Sequence, residues 1–120
     1  MAVVSITKVE DERVEEAVRR AVELAGGFDA QLKAGANVLI KPNVVGLSPS
    51  GSGNTTDARV TEAVTKMVLE RNPREVTIGE GSSVGYDFPG RRDTMHCLEV
   101  SGTAVSHDGW AWRCTRRMLS

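Results

Sequence analysis

Three short stretches carry side chains suited to holding a small anion. Lys41-Pro42-Asn43 offers a cation and an amide that both donates and accepts, with a stiff proline between them. Thr55-Thr56-Asp57-Ala58-Arg59 brings two hydroxyls, a carboxylate and a guanidinium to what reads as a helix start, where free backbone N–H groups favour negative charge. Glu80-Gly81-Ser82-Ser83 adds a carboxylate and two more hydroxyls. Lys41 would neutralise ligand charge, while Asn43, Thr55 and Thr56 would orient it. Arg59 would contact it, and Glu80 would handle a proton or a metal. Gly51 and Gly53 would let backbone approach a phosphate or carboxylate closely. Each residue also has a plainer role. Lys41 can be solvated at a strand end, and Asn43 can serve only its own loop. Thr56 or Asp57 can cap the helix, Arg59 can pair with Asp57 or Glu62, and Glu80 can be an exposed turn acid.

The elements that must position these groups alternate along the chain. Val3 to Val9 is β-branched and predicts a first strand. Asp11 is placed to cap a helix whose apolar stripe is Val14, Ala17, Val18, Ala21, Val22, Leu24 and Ala25, stopped by Gly26-Gly27. Phe28 to Leu32 predicts a short helical turn. Asn37 to Ile40 follows as a strand, and its unbroken apolar run suits a parallel sheet buried on both faces. A Gly/Ser-rich loop, 41–54, leads to a second helix with Val60, Ala63, Val64, Met67 and Val68 on one face. Asn72-Pro73 ends that helix, and Glu75 to Ile78 predicts a third strand. This βαβαβ order implies an α/β fold with a mainly parallel sheet and flanking helices, in Rossmann-like or flavodoxin-like layering. On that reading residues 1–104 form the N-terminal part of a larger domain. The loops 41–59 and 79–83 then share one edge of the sheet, where α/β proteins bind ligands.

The same landmarks carry a family resemblance. Lys41-Pro42-Asn43 after a strand, Thr56-Asp57-x-Arg59-Val60-x-Glu62-Ala63-Val64 opening a helix, and Val76-Thr77-Ile78-Gly79-Glu80-Gly81 together resemble an uncharacterised prokaryotic family, domain of unknown function 362. The similarity runs over roughly residues 3 to 104. The family commonly has proline where this chain has Ala58. Some members carry a ferredoxin-type iron–sulfur module, which the resemblance would extend to this chain only with more thiolates. A four-iron cluster typically takes four cysteines, and Cys97 and Cys114 are two.

Several other motifs do not hold up. Gly79-x-Gly81-x-x-x-Gly85 lacks the dinucleotide-binding spacing, and 51–57 lacks the Gly-Lys-Ser/Thr ending of a P-loop. His96-Cys97 are adjacent, point different ways on a helix and have no spaced partner. A net charge of −1 gives no electrostatic case for nucleic acid or an anionic membrane. No apolar run reaches the roughly 20 residues of a membrane span, and Met1 to Ile6 lacks a secretory signal pattern. A cytoplasmic location is expected.

Residues 105–120 change character abruptly, with Trp110, Trp112, Arg113, Cys114, Arg116 and Arg117 close together. Read from the third base of each codon, Ser106 to Cys114 would encode approximately Ala-Arg-Arg-Leu-Gly-Val-Glu-Leu, a helix end, glycine stop and strand. A frameshift near Val105 that replaced the native continuation is the expectation. The alternative is a genuine basic tail packing on the domain or a partner. Two functional classes therefore stand beside each other. One is an α/β domain that binds a small anionic metabolite or phosphate-bearing cofactor, with no particular cofactor indicated. The other is a non-catalytic interaction module of a redox or iron–sulfur system, self-associating through an exposed sheet edge. A truncated chain without activity is the third outcome.

Overall fold

The computed structural model describes residues 1–81 and 94–104, and the backbone of 113–114. Ser82 and Ser83, and the atypical tail apart from the 113–114 backbone, lie outside the described residues. Helix α1 spans Val14–Leu24, strand β1 Asn37–Ile40, helix α2 Ala58–Leu69, strand β2 Glu75–Ile78, helix α3 Thr94–Val100 and strand β3 Arg113–Cys114. The strands form one sheet in the order β1-β2-β3, and both pairings are parallel. Val38 faces Val76 and Ile40 faces Ile78 across the first ladder. The protein is an α/β fold built on a parallel sheet.

Local chemistry explains most boundaries. Asp57 caps α2 by accepting a hydrogen bond from the Arg59 N–H at 2.9 Å. At the end of α1, Gly27 N–H reaches the Val22 carbonyl at 2.8 Å and Gly26 N–H that of Glu23 at 3.0 Å. Both glycines have positive φ, so the helix closes in the reciprocal pattern that glycine permits. Asp11 does not cap α1. It sits at φ 48°, next to Glu12 at φ 57°, and the cap position falls to Arg13 with no side-chain bond. Phe28 accepts bonds from Gln31 and Leu32 in the expected turn.

The core lies between α2 and the sheet. Ala63, Met67 and Val68 of α2 are buried, as are Val76 and Ile78 of β2. The opposite face of the sheet is open, with Asn37, Leu39 and Glu75 exposed. A second cluster joins Val44 to Cys97 and Leu98 of α3. α1 packs on α2, and only Val14 and Ala17 of its predicted stripe are buried; Leu24 and Ala25 are exposed, because the last turn of α1 lacks cover. Val60 and Val64 of α2 are half-buried while Thr61 and Thr65 are buried, which rotates the buried face by one position from the apolar pattern.

Residues 3–9 do not form the predicted strand. Ser5 Oγ donates to the Ala21 carbonyl at 2.6 Å and Thr7 Oγ1 to that of Ala17 at 2.9 Å. Two residues of extended chain advance roughly 6.6 Å and four residues of helix roughly 6 Å, so the two spacings match. The segment therefore lies antiparallel along α1, held by hydroxyls rather than by a ladder.

Candidate functional site

β1 and β2 run side by side and in register, so the residues that follow them emerge together. Gly79 N–H extends the ladder by one bond, to the Ile40 carbonyl at 3.0 Å. One residue further along each strand, Lys41 Nζ meets Glu80 Oε2 at 2.6 Å. Their exposures differ sharply. Glu80 is 7% exposed, whereas the Lys41 side chain is 50% exposed. Glu80 is thus not the exposed turn acid of the plainer reading. It is a buried carboxylate matched by a cation that still faces solvent. An ammonium has three donors, and one of them is committed to Glu80.

The segment after β1 is more regular than its composition implies. Pro42, Val44 and Gly46 are buried while Lys41, Asn43, Val45 and Leu47 are exposed, so the two-residue period of β1 continues to residue 47. The second half of the loop is laced to it. Thr56 N–H donates to the Asn43 carbonyl at 2.7 Å, and Thr56 Oγ1 accepts from Asn43 N–H at 2.9 Å. Thr55 Oγ1 accepts from Val45 N–H at 3.1 Å. Both threonines are latches of the loop, and Thr55 is buried.

Asp57 and Arg59 pair with each other. Arg59 Nε and Nη2 donate to the two carboxylate oxygens of Asp57 at 3.1 and 3.0 Å. The guanidinium, with the backbone bond behind it, holds the Asp57 carboxyl below its usual range, and Asp57 in turn raises Arg59. Arg59 also lies 3.9 Å from Glu12. The strand-end residues therefore form two groups: Lys41 with Glu80, and Asn43, Thr55 and Thr56 bound into one loop. Asp57 and Arg59 close the start of α2.

Ser50 is a structural residue that the sequence did not single out. Its Oγ donates to the Ser101 carbonyl at 2.5 Å and accepts from Ala58 N–H at 2.9 Å, tying the loop to α2 and to the end of α3. Proline at position 58 would suit the first helical turn but has no N–H to give. Gly102, at φ 80°, lies over Ala58, where an added Cβ would sit 3.6 Å from the Ala58 Cβ. No local signal marks Ser50, because both of its partners are distant in sequence.

An open groove of about 880 Å³ lies elsewhere, between α1 and the start of α2, lined in part by Glu12, Arg13, Arg19, Arg59 and Glu62. Arg13 pairs with Glu16, Arg19 with Glu15 and Glu70, and Arg59 with Asp57. It is a solvated ion-pair surface; of the candidate site residues Arg59 alone is on its lining, and Lys41, Asn43 and Glu80 are not. Among the described residues, no group of three or more His, Cys, Asp or Glu side chains could hold a metal ion, and no helix is long and apolar enough to cross a membrane.

A parallel sheet with crossover helices and a polar edge at the strand ends defines the class as an α/β domain. The family follows from comparison: the model of the domain of unknown function DUF362 matches residues 38–109, more than half of the chain, and the chain belongs to that family. The match takes in β1 from Val38 onward, the latched loop, α2, β2 and α3. No curated protein and no solved structure matches the chain.

Proposed function

We propose that this DUF362 domain binds a small anionic metabolite or a phosphate-bearing cofactor at the strand-end loops 41–59 and 79–83. The observation that supports the reading is the asymmetric Lys41–Glu80 pair. Its carboxylate is buried and its ammonium is half in solvent, so the cation is anchored at a fixed place with donors to spare. Asn43 lies two residues along on the same exposed row as Lys41. The latched loop costs little further ordering when a ligand arrives, which favours binding by preorganisation. In this reading Thr55 and Thr56 shape the loop, Asp57 and Arg59 hold the helix start, and Glu80 positions Lys41.

The test is calorimetric titration of the wild-type and Lys41→Ala chains with inorganic phosphate, nucleotides and small carboxylates. Binding that weakens by about tenfold or more in Lys41→Ala, a loss of roughly 1.4 kcal/mol, is expected. Equal binding by both proteins, or none by wild type, would remove the assignment.

A further inference from the structure

We infer that residues 3–9 are a strand-exchange arm that pairs with the outer edge of β1 in a second copy of this chain. The proposal is separate from the strand-end ligand reading and stands on other residues. Val4 and Ile6 are 84% and 89% exposed, although both are β-branched and sit in a stretch patterned as a strand. Ser5 and Thr7 turn toward α1, so Val4 and Ile6 form the outward row of the arm. Among the described residues, the backbone N–H and carbonyl groups of 3–9 make no bond to other backbone.

The acceptor is on the same molecule. Among the described residues β1 is an edge strand paired with β2 alone, and Leu39 on its open face is 52% exposed. An unpaired ladder beside an exposed apolar side chain is a template for another strand. The chain thus carries both halves of a self-complementary contact, which a two-fold axis uses twice.

Charge selects the orientation. A parallel addition that set residues 4–7 beside Asn37–Ile40 would put Lys8 next to Lys41. An antiparallel addition with Ile6 opposite Leu39 puts Lys8 beside Asn37 and leaves Lys41 beside Val4, so the like charges separate. The junction between arm and α1 suits exchange as well. Asp11 and Glu12 stand in succession at φ 48° and 57°, a conformation that L-residues adopt at a cost. Short strained hinges favour exchange between copies over closure within one.

Sedimentation equilibrium of the 120-residue chain over a wide concentration range tests the proposal, alongside Ile6→Lys and Leu39→Lys. Both positions are too exposed to disturb the monomer fold, which circular dichroism checks. A reversible dimer whose dissociation constant rises about tenfold or more in each variant is expected. Mixing Ile6→Cys chains with Leu39→Cys chains of different mass is expected to give a disulfide between the two masses. A strict monomer, a dimer indifferent to both lysines, or an Ile6–Leu39 link formed only within a doubly substituted chain would overturn the inference.

Discussion

α1 and α2 are almost equal in length, 11 and 12 residues, and lie against each other, yet different forces hold them. α2 is anchored by apolar burial through Ala63, Met67 and Val68, and its start is closed by Asp57 and Ser50. α1 buries only Val14 and Ala17 and has no side-chain cap. It is joined to α2 by charge: Arg19 bonds both carboxylate oxygens of Glu70 at 3.1 and 2.6 Å, and Lys66 reaches Glu15 at 2.9 Å. Exposed ion pairs contribute little each, whereas burial of a large apolar side chain contributes several-fold more. The contrast makes α2 the structural centre of the domain and α1 a cover fastened by electrostatics.

The largest test of that contrast is truncation. Met67→Ala should cost about 2–5 kcal/mol in urea unfolding, while Val22→Ala on half-buried α1 should cost well under half as much. Equal costs would break the comparison. Next comes the helix start, where Asp57→Ala should lose about 1 kcal/mol. A similar gain is expected from Thr61→Val. The Thr61 hydroxyl is buried in α2 without a hydrogen-bond partner among the described residues, and an isosteric methyl removes a penalty of about 1 kcal/mol.

The smallest effect should separate the helices most cleanly. Lys66, then Arg19, hold the Glu15 carboxyl below its ordinary 4.5, and Arg19 does the same for Glu70. A lowered folded value contributes stability above the unfolded value and loses it as pH falls through the folded one. As pH drops below 4.5, amide protection, taken relative to intrinsic exchange at the same pH, should therefore fall in α1 before α2. Salt at about 1 M, where screening acts over roughly 3 Å, should move α1 in the same direction. Matching exchange in the two helices under both conditions would count against an electrostatic hold.

Elements with a single dominant local signal were readable from sequence. β1, β2 and α2 follow from an apolar run, a β-branched run and a capped 3.6-residue stripe, and the parallel α/β class follows from their order. Residues 3–9 carry as strong a strand pattern, but Ser5 and Thr7 find carbonyls on α1, and no ladder forms. The burial of Glu80 was hidden for a related reason, because its partner is 39 residues away on a neighbouring strand. The order in 41–47 was not legible, because Val45 and Leu47 are apolar yet exposed and so blur the alternation in which Pro42, Val44 and Gly46 are buried. At the candidate site, residue types identified Lys41 and Asn43 as available groups, while the latching of Thr55 and Thr56 depends on a backbone path that composition does not encode.

The Lys41–Glu80 contact bears on how the sheet finds its alignment. Short strands such as these, four residues each, have few side chains with which to tell one pairing from the next. A slip by one residue would turn Val76 and Ile78 away from α2, and it would also carry a buried carboxylate past the only described cation that matches it. An incorrectly paired sheet thus incurs an electrostatic penalty on top of a hydrophobic one, so a contact that contributes modestly to the finished fold can act as proofreading while the sheet assembles.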